Sequence, residues 1–421
     1  MGNDEKLLWC RPRLRERNTS VRGRGNLVAS AIFLFFSSVL FPVVSFGNAE
    51  HAIRLGLTDS ARILSVHASS PFILKLPSGK RFRISEKVTI QLQRDTLLLN
   101  NRVVPASAVS VQGGDGVFHV TVLAMADKAL GKNAKKSWTV HGPLDIQSVP
   151  SGLAVVNRIN LETYVAGVVS GEVSPKWPIE ALKAQAVAAR TYVLYKQVEN
   201  QLQPFDVFAS VQDQVYHGHA ARAESVLQAV EETRGQVVTH DHRPIYAAYS
   251  STAAGPTEDA LYVWALDLPY LKGVDCPFDD QAPRYDWRTA FTLDYLEHQL
   301  RQEGYAVGTV ATLTPYTFTP SGRVDRVRLL HSRGEIILRG QDLRRIVGYS
   351  KIFSTNFSIT SVGAEVVVVG HGAGHAVGMC QWGMREMAEL GYDYQSILRH
   401  YYPGTTLLPL RRVNFTPSGH P

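Results

Sequence analysis

Between Pro178 and Lys196 the chain reads IEALKAQAVAARTYVLYK, and this alanine-rich run constrains the fold more than any other segment. Leu182, Ala186, Ala189 and Val193 fall on one helical face, while Ala184, Ala188 and their neighbours keep the other faces thin. A helix this slender packs closely on several sides, so the spacing predicts a central, buried helix over Ile179–Lys196. Pro178 suits a first helical position, and Glu180 in the first turn complements the helix dipole.

The segments before it have a different period. From about residue 51 to 148 the pattern is of short strands. Phe72–Leu76 turns through Pro77-Ser78-Gly79 into Lys80–Ile84, and Leu97–Leu99 turns through Asn100-Asn101 into Val103-Val104, two hairpins. Val88–Leu92 and Val117–Leu123 alternate as half-buried strands do. Asp127–Lys136, with four lysines and Gly131, reads as an exposed loop. Beyond the alanine-rich helix, a second helix is expected over Arg222–Thr233, ending at Gly235, then strands at Gln236–Thr239 and Ile245–Ser250. After a DCPFDD loop come a helix near Leu293–Glu303, strands near Val310–Phe318, Val324–His331 and Glu335–Leu338, and a helix near Gln341–Val347. The last part is the loop GHGAGHAVGMCQWG, two short helices and YYPGT. The fold class is therefore α+β: a mixed region around the alanine-rich helix, preceded by a small β-rich module. In 421 residues, room for two or three domains, the division expected is 1–49, 50–126 (β-rich), 127–148 (linker and lead-in strand), 149–410 and a tail, 411–421.

Charge sharpens the first of these segments. The chain carries 44 Lys and Arg against 37 Asp and Glu, a net +7. Residues 1–49 hold seven basic and three acidic side chains, which leaves an excess of only +3 for the remainder. That is too little to argue for nucleic acid. The basic stretch runs into NLVASAIFLFFSSVLFPVVSF and then Gly47 and Ala49, the order of an export signal with cleavage near Ala49. Leu27–Phe46 is also long enough to span a bilayer, so the alternative is an N-terminal anchor. Either way the rest of the chain is expected outside the cytoplasm, in the periplasm or on the wall face of the membrane. Past residue 49 only Cys276 and Cys380 remain, expected as separate buried thiols rather than a disulfide.

Three segments could carry chemistry. Glu172 follows an apolar run and immediately precedes the proline-bounded helix. Apolar surroundings would raise its pKa and let it donate a proton at neutral pH; a solvated glutamate is the plainer alternative. His371 and His375 are four apart in HGAGH, but the interleaved glycines argue against a helix, leaving either a metal pair or side chains that orient backbone or touch substrate. YSSTAAGPTED lacks the glycine-bounded elbow of a serine nucleophile and suits a polar turn that caps a helix or binds a sugar.

Taken together and in order, LETYVAGVVSGEVSPKWPIEALKAQAVAARTYVLYK, QVYHG, TRGQVVTHDHRPIYAAYSSTAAGPTED, LPYLKGVDCPFD, SGRV and GHGAGHAVGMCQWGMREMAELGYDYQSILRHYYPGT resemble the stage II sporulation protein D / LytB amidase-enhancer (SpoIID) family over about residues 150–410. The resemblance implies action on peptidoglycan glycan strands. Some members are lytic transglycosylases on peptide-stripped strands; others enhance a partner amidase. The family's catalytic glutamate falls on Glu172, and Tyr216, Ser251, Thr257, Glu258, His371, His375, Gln381 and Trp382 match the pattern as groove lining. Zinc-containing members use cysteine and histidine near QVY; Val207–Gln214 has neither, so that zinc site is expected to be absent, and no cofactor, zinc included, is expected for the chain. Where members carry histidine after the tyrosine, this chain has Ser250. The expected partners are glycan strands and a cell-wall amidase, with no nucleic acid and no membrane contact beyond an uncleaved N-terminal segment.

Overall fold

The structure, a computed structural model, describes residues 51–94, 96–125, 136–210, 213–216, 218, 223–363 and 365–416. The segment expected to be an export signal, most of the Asp127–Lys136 loop and Arg222 of the expected second helix lie outside the described residues; that helix begins at Glu224. The helices are α1 (Leu161–Glu172), α2 (Ile179–Glu199), α3 (Glu224–Glu232), α4 (Ala260–Trp264), α5 (Leu293–Gln302), α6 (Gly340–Val347), α7 (Gln381–Glu389) and α8 (Tyr394–Tyr401). Together with a large curled sheet they make the fold α+β. Among the described residues no helix is long and apolar enough to cross a membrane.

Helix α2 is the buried axis that its alanines predict. Every residue from Ala184 to Leu194 is buried, and α1, α3, α7, α8 and the strand Gln236–His240 pack around it. Pro178 stands one place earlier than expected, as the N-cap. Two polar side chains in this apolar helix fasten its neighbours. Arg190, fully buried, donates to the Glu162 carboxylate on α1 and to the Gln236 carbonyl, and the Thr191 hydroxyl accepts from Val238 N at 3.0 Å. Removing one partner of such a buried pair costs about 3–5 kcal/mol, so Arg190 fixes α1 against α2.

The 12-stranded sheet is organised by its first strand, Ala52–His67. Its first half pairs antiparallel with Gly152–Asn160, and its second half lies between Lys87–Gln93 and Val117–Met125. Register breaks at Gly56/Thr58 and Thr58/Ala61 bend it, since an unpaired residue increases local twist. The sheet therefore draws strands from both sides of residue 149, and Ile53, Leu55, Ile146 and Val155 share one core with α1 and α2. Both expected hairpins are present; Asn100 and Asn101 take the left-handed conformation (φ 47° and 65°) that a tight two-residue turn requires. A second core, around Leu296, Leu313, Val327, Leu343 and Val368, is built from α5, α6 and two three-stranded sheets within 286–371.

One sequence expectation is corrected, and one unassigned segment gains an element. Leu161–Val169, to which the sequence reading assigns no element, is helical, because the Asn160 side chain accepts from Glu162 N and Thr163 N and starts α1. Ile245–Ser250 is not a continuous strand. Only Tyr249-Ser250 enter a ladder, parallel to Met379-Cys380, while Ile245–Ala248 run buried without one.

Candidate active site around Glu172

Glu172 is the last residue of α1, and the chain leaves the helix at Val173. The turn SPKW then leads to Pro178 and α2, so this carboxylate sits at the connection between the two helices. Its Oε1 accepts from Val215 N at 2.8 Å, its Oε2 lies 3.5 Å from Gln381 Nε2, and the Tyr249 hydroxyl also hydrogen-bonds the carboxyl. The residue is only partly exposed. Burial disfavours the charged form and raises the pKa from 4.5 to about 7, against the smaller pull of these three donors. Near neutral pH the group is thus shared between acid and carboxylate, the condition for giving a proton and taking one back.

The surrounding side chains are held in a connected network. Tyr164 donates to Gln214 Oε1 at 2.8 Å, and Gln214 Nε2 donates to the Tyr249 hydroxyl at 2.9 Å. Gln381, 3% exposed at the start of α7, approaches Gln185 Oε1 of α2 at 3.5 Å as well as Glu172. The amide nitrogen of Gln185, fully buried, has no hydrogen-bond partner. Trp382, beside Gln381 in sequence, meets Trp177 edge-to-face at 5.4 Å, and Arg385 lies 4.9 Å over its ring. Both indoles keep partial exposure, and Trp382 follows Gln381, whose amide reaches the carboxylate. Tyr216 stacks on Tyr164 at 5.8 Å and presses on Gly167, where a Cβ would come within 2.3 Å of its ring.

The other residues singled out from the sequence are placed as follows. Ser251 is buried; its hydroxyl meets Thr252 Oγ1, and its carbonyl accepts from Trp382 N, which seats α7. Gly378 allows the chain to pass this point, since a Cβ there would lie 2.1 Å from the Ala248 carbonyl oxygen. His375 is buried against Trp264, accepts from Val377 N, and has its pKa lowered to about 3 by burial, with the Arg344 cation acting in the same direction. His371 is exposed and pairs with Asp286 at 2.6 Å. The two histidines thus face different surroundings. Thr257 clasps Val274 through both its backbone and its hydroxyl. Glu258, 2% exposed, accepts from Thr319, Ser321 and Asp259 N, and Asp259 caps α4 and pairs with Lys272. Gln381, Trp382 and the Val215-Tyr216 segment are therefore gathered at Glu172, whereas the contacts of Thr257, Glu258 and His371 run elsewhere.

Four members of the site are absent from the sequence expectations: Trp177, Gln185, Gln214 and Tyr249. Gln185 carries a legible signal, an amide on the buried face of an alanine helix. The others carry none apart from their place inside the recognised segments.

Comparison with known proteins gives the following. The sequence model described as "Stage II sporulation protein" matches residues 150–240, and one for a domain of unknown function (DUF8618) matches 271–378. An uncharacterised protein of Brachyspira hyodysenteriae is 30% identical, over 88% of this chain and 96% of that protein. Stage II sporulation protein D of Bacillus subtilis is 31% identical, over 63% of this chain and 79% of that protein. The amidase enhancer of the same organism is 27% identical, over 57% of this chain and 40% of its own length.

Proposed function

Because the chain belongs to the stage II sporulation protein D family, we propose that it is an exported protein acting on peptidoglycan, and that it cleaves glycan strands as a lytic transglycosylase with Glu172 as acid and base. The observation that carries this reading is the carboxyl of Glu172, raised to about 7 and reached by Gln381, whose neighbour Trp382 pairs with Trp177. Protonated Glu172 gives its proton to the glycosidic oxygen that leaves the muramic acid unit. The resulting carboxylate takes the proton of that sugar's primary hydroxyl as its oxygen closes on C1, leaving a 1,6-anhydro end. The nucleophile belongs to the substrate, so one carboxyl group serves both steps and no second carboxylate need activate water. Val215 N and Gln381 orient the two carboxyl oxygens, and the indoles offer flat apolar faces to sugar rings. The basic and apolar N-terminal segment supports export.

A second reading has its own support, the name of the amidase enhancer among the relatives. In it the same surface binds glycan and recruits or stimulates an amidase without cleaving. Digestion of amidase-treated sacculi with the purified chain separates the two. The transglycosylase reading expects anhydro-muramic products by mass spectrometry that disappear in Glu172→Gln. Glycan binding with no product, and amidase stimulation that survives in Glu172→Gln, would replace it with the enhancer.

A further inference from the structure

Cys276, Asp279 and Cys380 come together behind the start of α7. All three are buried, and one potential ligand atom from each lies within 4.8 Å of the other two. Among the described residues no other group of histidine, cysteine or acidic side chains gathers three ligand atoms in this way. Cys380 Sγ is 3.1 Å from Asp279 Oδ2 and accepts from the backbone N–H of Ala253 and Gly383, at 3.3 and 3.4 Å. Asp279 Oδ2 also accepts from Ala253 N and Ala254 N, at 2.7 and 2.9 Å. Cys276 Sγ lies 3.2 Å from the Tyr401 hydroxyl. The other oxygen, Asp279 Oδ1, is buried and has no hydrogen-bond partner, although the residue is only 2% exposed. An oxygen left so costs about 1–3 kcal/mol, which calls for a compensating ligand.

We propose that Cys276, Cys380 and Asp279 hold a zinc ion by three protein ligands, with a water in the fourth position, and so tie the DCPFDD loop to the N-terminus of α7. Two thiolates and a carboxylate suit this borderline-soft ion. Bonds of about 2.3 Å to sulfur and about 2.0 Å to oxygen set tetrahedral ligands about 3.5 Å apart, and one potential ligand atom of each residue already lies within 4.8 Å of the other two. Oδ1 is available as the oxygen ligand while Oδ2 keeps its backbone donors, and the N–H groups on Cys380 Sγ serve as supporting contacts. Binding expels two thiol protons to solvent and involves no redox change. The ion with its three anionic ligands carries a net single negative charge, and the buried Arg323 guanidinium, near enough to interact with both cysteines and Asp279, offsets it. A disulfide between the cysteines would leave Oδ1 unsatisfied and take the thiol donor from Oδ2. The site adjoins Gln381, so the ion would help to hold that amide at Glu172. It lies apart from the QVY segment, where the sequence gives no reason to expect zinc.

The test uses the full chain purified under thiol reductant without chelator, then offered Zn²⁺ or Co²⁺ alone. One zinc per chain by elemental analysis is expected, with a near-ultraviolet thiolate-to-cobalt charge-transfer band and a melting temperature that falls on chelation. Cys380→Ser keeps a side-chain oxygen for the cap hydrogen bond from Gly383 N, so it isolates the loss of the sulfur. It should fold by circular dichroism and bind zinc more than about tenfold more weakly, as should Cys276→Ser. A metal-free chain with two titratable thiols, an intact mass two hydrogens lighter, or equal metal retention in both variants would each overturn the proposal.

Discussion

Glu172 and Glu258 are both carboxylates enclosed by protein, yet the chain surrounds them with opposite kinds of neighbour. Glu258 receives two hydroxyl donors and a backbone N–H at 2.6–3.0 Å, and the buried Arg323 cation interacts with it. Glu172 receives one close backbone donor, a long amide contact and a tyrosine hydroxyl, and burial outweighs them. A carboxylate supplied with donors and a cation holds loops together; one that is buried with few donors keeps a proton within reach. The difference lies in the partners, since Glu258 is the deeper of the two, and it gives the two residues different jobs.

The largest expected effect on that contrast is catalytic. Glu172→Gln should lower release of anhydro-muramic products by about 10²-fold or more, the usual worth of a positioned acid–base group. Initial rates on stripped sacculi check it. Glu258→Gln should instead lower stability by about 3 kcal/mol in urea melts, because the Arg323 guanidinium loses its buried counter-charge. If Glu258→Gln melts like the parent chain, the structural half of the contrast fails.

Glu172→Gln should also move stability in the opposite direction, and only above mildly acidic pH. Below about pH 4.5 the folded and unfolded chains both hold the Glu172 proton. Between 4.5 and about 7 the unfolded chain releases it first, so the wild type loses stability as pH rises, by up to about 3 kcal/mol before allowance for the side chain's partial exposure. The variant escapes this loss and should be the more stable chain at pH 8, with no advantage at pH 4. Paired urea melts at the two pH values decide it.

Smaller effects test the surroundings. Trp382→Ala should weaken binding to stripped glycan by about tenfold, read by sedimentation with sacculi, through loss of an aromatic face. Tyr249→Phe removes a donor that favours the carboxylate, so the alkaline limb of the rate profile should shift upward by less than about one pH unit. A downward shift would show that the hydroxyl acts on Glu172 in another way.

Much of this was legible in the sequence where the signal is local. The alanines of α2, the Asn100-Asn101 turn and the glutamate ahead of Pro178 each announce their structure within a few residues. Long-range pairing is what stays hidden. Glu258 looks like groove lining beside Thr257, and only the fold shows that Thr319 and Ser321, 61 and 63 positions on, consume its oxygen. Helix α1 is obscured by its valines and glycines, which fit a strand as well as a helix, until the Asn160 cap is seen. Tyr249 and Gln214 reach Glu172 through a network that no spacing rule contains, whereas Gln185 could have been picked out as a polar residue on a buried helix face.

The most direct test of Glu172 as a proton donor is its own titration. With glutamate carboxyl carbons labelled and Glu172→Gln used to assign the signal, ¹³C NMR should give a midpoint near pH 7. A midpoint near the ordinary 4.5 would contradict it, for the group would then be ionised at neutral pH with no proton to give.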